Sequence, residues 1–189
     1  EERIRSVQKY RALKANSKVA YALIKSGEYY ETSLEDSSIL FGNKDAKMRV
    51  TILSNPHCNP CARMHKRVEN LLQISDQAIC VQYIFSSFNK ELEDSSRYLI
   101  YKYFGNTQDK ALKEFDLWYS KEKYEYNSIL RRNSTLIYTK MIETEMAKHE
   151  KWRKRTSLIE TPTILVNGYK LPKEYSIEDL AMLTSCNII

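Results

Sequence analysis

Glycine and proline are scarce, four of each in 189 residues. That scarcity argues against long flexible linkers and leaves most of the chain to regular structure. Long apolar runs are missing too. No stretch approaches the ~18–20 residues of a membrane span, so we expect no direct membrane insertion of this chain. Cysteine numbers only four, too few for a disulfide scaffold at this length. Charge of one sign is in mild excess only, with 30 Lys and Arg against 24 Asp and Glu. The densest basic run is KHEKWRKR, Lys148 to Arg155. A nucleic-acid partner would need a basic face with stacking aromatics or a known motif; a solvated helix face suits this run better. The chain shows no signal-peptide pattern, and it opens on Glu1 rather than Met. We therefore expect a processed product or a piece of a longer protein.

What is present suits one domain with a real core: 42% apolar residues, 14 Tyr and 5 Phe. Ile4, Val7, Tyr10, Leu13, Val19, Leu23 and Ile24 recur at helical spacing and predict one helix over residues 3 to about 25, stopped near Gly27. SSILFGN predicts a short strand and KMRVTILSN a second one, which Pro56 ends. Residues 59 to 74 predict a helix with Met64, Val68, Leu71 and Leu72 as its stripe. AICVQYIFS predicts the next strand, and strand–helix–strand order favours parallel pairing. Residues 91 to about 155 carry helical patterns only, enough for three helices. TPTILVNGYKLP predicts a hairpin turning at Asn167-Gly168, and SIEDLAML a last helix with Ser176 as N-cap.

The chemistry concentrates in SNPHCNPCARMH, where Cys58 and Cys61 stand two residues apart between a strand and a helix. A thiol at a helix start meets the positive end of the dipole and unpaired N–H groups, which favour thiolate, the reactive form. Cys61 follows one turn later on the same side. This placement favours dithiol–disulfide exchange, with Cys58 attacking and attacked and Cys61 resolving. Zinc is the alternative, with Cys58, Cys61, His57, His65, Cys80 or Cys186 as conceivable ligands, but no second pair has metal spacing. No metal and no cofactor are expected. Cys80 reads as a small hydrophobe in a buried strand. His57 is either an imidazolium leaning on the Cys58 sulfur or a loop histidine in solvent. His65 reads as a surface residue on the helix flank.

CNPC at a helix start, a helical block and TPT opening a hairpin, in that order, resemble the thioredoxin fold in its DsbA-like branch. The predicted class is α/β: a thioredoxin-like domain over 38–189, an all-helical insertion at about 91–155, and an N-terminal helical extension or connector over 1–37. SNPHCNPCARMH is similar to the thioredoxin-like domains fused to bacterial homologues of vitamin K epoxide reductase. The resemblance implies a cis bond at Pro162, lying against the dithiol, and substrate contacts from the backbone of Thr161. It also implies a buried acid six residues before the nucleophile, but Ile52 stands there.

The resemblance further implies a thiol–disulfide oxidoreductase acting on protein thiols and disulfides. It would be periplasmic or otherwise extracytoplasmic, coupled to a quinone-linked membrane redox partner. Asn59 and Pro60 should help set the poise. Thioredoxin, with Gly-Pro inside its motif, and DsbA, with Pro-His, differ by ~150 mV, about 7 kcal/mol in disulfide stability. CNPC alone leans toward the reducing side; the helical insertion and the narrower resemblance lean toward a disulfide donor. The rivals are a reducing thioredoxin-type protein, a non-enzymatic binding or copper-holding module, and a peroxide-reducing thiol enzyme.

Overall fold

Two seven-residue runs, MRVTILS and ICVQYIF, lie parallel at the centre of a five-stranded sheet. The computed structural model describes residues 2–184. The strands are β1 (Leu40–Gly42), β2 (Met48–Ser54), β3 (Ile79–Phe85), β4 (Thr163–Val166) and β5 (Tyr169–Lys170). Their order is β1-β3-β2-β4-β5, with every pair antiparallel except β2 and β3. Both central strands are buried on two faces; the second face also carries Thr51 and Gln82, which hydrogen-bond to each other at 3.0 Å.

The two faces have different covers. Val50, Ile52, Val81, Tyr83, Phe85 and Val166 face the larger core. Leu53, Ile84 and Leu165 face a smaller one, closed by Trp152 and Leu158. The alternation is the two-residue period of the pleat. Helix α3 (Asn59–Ile74) crosses over between β2 and β3 and puts Cys61, His65, Val68 and Leu71 inward. Between β3 and β4 come α4 (Lys90–Phe104), α5 (Gln108–Ser120), α6 (Tyr126–Arg132) and α7 (Lys140–Thr156). This is the predicted helical block with one helix more than expected. The extra one, α6, has seven residues and buries only Ile129, too short a stripe to stand out in sequence.

The N-terminal segment also departs from expectation. It forms two helices, α1 (Glu2–Ala15) and α2 (Ser17–Lys25). Asn16 breaks them because its side chain accepts from the backbone N–H of Lys18 and Val19, starting a new helix. Ala20 and Ile24 of α2 are buried, whereas α1 buries nothing. At the other end the predicted last helix begins as a 3-10 turn, Ile177–Asp179, before α8 (Leu180–Thr184). Ser176 and Asp179 form a full capping box there. Cys186 lies outside the described residues. Among the described residues, no helix is long and apolar enough to cross a membrane.

Candidate active site

β2 ends at Ser54 and α3 begins at Asn59, with four residues between them. β4 runs antiparallel to β2 with Thr163 opposite Leu53, so the residues that precede β4 arrive beside that junction. Sheet register thus brings Thr161 and Pro162 to the two cysteines across a hundred residues of chain. The Thr161–Pro162 bond is cis. The Thr161 hydroxyl points at the Cys58 sulfur, 3.9 Å away.

Cys58 and Cys61 form a disulfide with an S–S distance of 2.02 Å. Cys58 is the N-cap of α3, and its Sγ accepts from the Cys61 N–H at 3.0 Å. Cys61 Sγ accepts from the Asn55 N–H at 3.4 Å. Pro60 sits in the first turn, where its missing N–H leaves no gap in the helix. The two sulfurs differ in access. Cys58 is half-buried, Asn59 and Pro60 are exposed, and Cys61 is buried. Of the two sulfurs, that of Cys58 is the one open to approach from solvent.

The helical insertion holds the loop before the disulfide at three points. Trp118 Nε1 donates to the Pro56 carbonyl at 2.8 Å. His57 Nε2 lies 2.7 Å from Ser95 Oγ. Lys123 Nζ donates to Asn59 Oδ1 at 2.7 Å. None of Ser95, Trp118 or Lys123 stood out in the sequence, because nothing local in α4, α5 or the turn after it marks a contact with residues 56–59.

His57 is therefore held by Ser95 rather than free in the loop, with 19% of its side chain exposed. Its ring lies edge-on to Trp118 and Tyr126, with Nδ1 3.7 Å from Glu91. Burial lowers its pKa below the usual 6.5; Glu91 opposes that and Lys123 adds to it. The imidazole is mainly neutral at pH 7 and supplies little charge to Cys58.

His65 is a correction. It is buried, not on the surface. Its Nε2–H donates to the Leu112 carbonyl at 3.3 Å, so Nδ1 must accept from the Tyr83 hydroxyl at 2.9 Å. Burial lowers its pKa from 6.5 to about 4, against the pull of the Leu112 carbonyl. Ile52 is buried in the larger core. The polar pair at the end of β2 is Ser54 Oγ with the Tyr119 hydroxyl, 2.6 Å apart. Cys80 is buried, and burial pushes its thiol up to about 11, which keeps it protonated and inert. Among the described residues no cluster of three His, Cys, Asp or Glu is placed to hold a metal.

A half-exposed sulfur at a helix start, joined to a buried one and flanked by a cis-proline turn, is a site for sulfur exchange. A family model described as thioredoxin matches residues 34–184. The chain belongs to the thioredoxin family. No curated protein matches it. Among solved structures it is similar to oxidised BdbD from Bacillus subtilis, at 11% identity and a TM-score of 0.63, over 86% of this chain and 98% of that one. Reduced DsbA1 from Neisseria meningitidis gives 14% and 0.60, over 76% and 84%. The thiol-disulfide exchange protein alpha-DsbA2 from Wolbachia pipientis gives 11% and 0.57, over 94% and 97%. At these identities the likeness is one of fold: a DsbA-like thioredoxin fold, here carrying a Cys58–Cys61 disulfide.

Proposed function

We propose that this protein is an extracytoplasmic thiol–disulfide oxidoreductase that donates the Cys58–Cys61 disulfide to protein thiols. One observation carries the reading: the disulfide presents Cys58 at the N-cap of α3 and hides Cys61 behind it. A substrate thiolate attacks Cys58 Sγ. The S–S bond breaks, and its electron pair leaves on Cys61 Sγ, which takes up a proton. A second substrate thiolate then attacks the substrate sulfur of the mixed disulfide and releases Cys58 as thiolate. The substrate loses two electrons and gains a disulfide; the protein gains the two electrons.

Thr161 and Pro162 are the residues assigned to the incoming chain, with the Thr161 backbone as its hydrogen-bonding partner. Asn59, Pro60 and His57 shape the surroundings of the sulfurs. The likeness of SNPHCNPCARMH to domains fused to vitamin K epoxide reductase homologues supports a quinone-linked membrane partner as the source of oxidising equivalents. We assign residues 38–189 to the exchanging domain and 1–37 to an extension or connector.

The test is the redox potential of the pair, read by equilibration in glutathione buffers with thiol trapping. A value near that of DsbA, about −120 mV, is expected for a donor. A value near that of thioredoxin, about −270 mV, would reverse the direction. Absence of a titratable disulfide would end the oxidoreductase reading.

A further inference from the structure

Lys123 is an unusual residue to find beside a dithiol. It sits in the 3-10 turn Glu122–Tyr124 after α5 and is only 5% exposed. A buried ammonium is costly unless something compensates it. Yet among the described residues Lys123 makes no ion pair. Its hydrogen-bond partner is Asn59 Oδ1, at 2.7 Å, and its charge also lies 5.0 Å from the centre of the Tyr124 ring. Asn59 is the residue directly after Cys58 and the first of α3. The cation is therefore aimed at the start of the active-site helix, with neutral partners only.

We propose that Lys123 sets the potential of the Cys58–Cys61 pair, as a buried charge held on Asn59 that stabilises the Cys58 thiolate of the reduced form. The inference rests on the oxidoreductase reading above. In the disulfide neither sulfur carries charge, so the ammonium has no anion to answer it. Reduction supplies one. When two glutathione thiols form one glutathione disulfide, two electrons enter the Cys58–Cys61 bond. Cys61 takes one proton, Cys58 stays as thiolate, and the other proton goes to solvent. The anion then appears one residue from Asn59. Stabilising the reduced form makes the disulfide the stronger oxidant. The nearby alternatives are weaker. His57 is mainly neutral, and Glu91, beside its Nδ1, has the wrong sign. Lys123 thus does the work that an imidazolium at His57 would otherwise do, and it explains how a CNPC motif with thioredoxin-like proline can serve a donor.

Lys123→Gln keeps a donor for Asn59 Oδ1 and removes the charge. The glutathione ratio [GSH]²/[GSSG] at half-reduction should rise about tenfold, a shift of about 30 mV toward the reducing side. The fraction of Cys58 present as thiolate at a fixed pH should fall severalfold, read by ultraviolet absorbance. Lys123→Arg should stay within about twofold of the wild type in both. A midpoint unmoved in a folded Lys123→Gln protein would reduce Lys123 to a loop anchor and overturn the proposal, while the oxidoreductase reading stands. A wild-type pair that cannot be titrated overturns both. If Lys123→Gln does not fold, the nitrogen NMR signal of the Lys123 ammonium in the wild type decides: it should move on reduction and follow the titration of Cys58, and a signal blind to both overturns the proposal.

Discussion

The Tyr83 hydroxyl lies 2.9 Å from Nδ1 of His65, one helical turn beyond Cys61 and fully inside the protein. The bond fixes the neutral tautomer of a histidine that burial has driven down to about 4. Unfolded, the same group takes its proton near 6.5. Between those values the unfolded chain binds the extra proton, so stability rises with pH there. The contribution is complete above about pH 6.5 and is lost as pH falls toward 4, about 3 kcal/mol in all. His57, also lowered, adds in the same sense. Denaturant midpoints of wild type and His65→Phe across pH 4 to 7 isolate the His65 part: the variant should be less stable at pH 7 and flatter with pH. An equal slope in both would refute the assignment.

Glu145 gives a second window, lower and separate. Burial pushes its carboxyl up, but His149 and the N–H of Ser38 outweigh that and bring it to about 2. Stability from this group is present above the ordinary carboxylate range and is lost as pH falls through that range toward 2. Glu145→Gln should therefore lose stability at neutral pH and flatten the acid limb below about 4.5, leaving the His65 window intact.

Cys58 and Cys61 should fail in different ways. Cys58→Ser removes the half-exposed sulfur that the proposed mechanism has attacked, and should lower thiol oxidation to background. Cys61→Ser leaves an attacking thiol with no resolving partner and should accumulate mixed disulfides at Cys58, visible by mass after trapping. Full turnover in Cys58→Ser would sink the mechanism.

Trp118 ties the insertion to the active-site loop through the Pro56 carbonyl, 2.8 Å from its Nε1. Trp118→Phe removes the donor and leaves that carbonyl without it, worth about 1–3 kcal/mol, with a further loss from the smaller ring. The global unfolding free energy should fall by about 2–4 kcal/mol. Amide exchange at His57 and Cys58 should quicken more than at β3, because the lost anchor is local to the loop.

How much of this could be read beforehand follows from where the signals sit. α3 runs from Asn59 to Ile74 as its pattern foretold, and β2 pairs in parallel with β3, because strand, crossover helix and strand are contiguous. The dithiol was legible for the same reason: its chemistry lies in four consecutive residues. The grip of Ser95, Trp118 and Lys123 on residues 56–59 was not, since it depends on how helices distant in sequence dock. His65 lies between the two cases. It falls in phase with Cys61, Val68 and Leu71 on the buried side of α3, but its neighbours Lys66 and Arg67 disguise the phase. Only the presence of α5, which supplies Phe115 and Tyr119 against the ring, makes the burial certain. The break at Asn16 was hidden because the apolar stripe runs straight through it.

The two N-terminal helices should separate cleanly on truncation. α1 buries no residue and meets the body through Lys14 to Asp179 at 2.5 Å, Tyr10 to the Glu174 carbonyl at 3.4 Å, and the Lys14 carbonyl to Tyr175 at 3.1 Å. A partly exposed ion pair is worth about 0–1 kcal/mol and a hydrogen bond about 1. Removing residues 1–15 should therefore cost no more than about 2–3 kcal/mol and leave the potential of the dithiol unchanged. α2 is different, because Ala20 and Ile24 are only 1% and 2% exposed. Ile24 alone contributes about 1.5–3 kcal/mol by burial. Tyr29, just beyond, bridges to Tyr169 of β5, and the two rings pack tilted with centroids 4.9 Å apart. Removing residues 1–25 should thus cost several kcal/mol and weaken β5 as well. Two truncations of equal effect, or a large loss from the first, would mean that the exposed stripe of Ile4, Val7 and Leu13 is covered in solution.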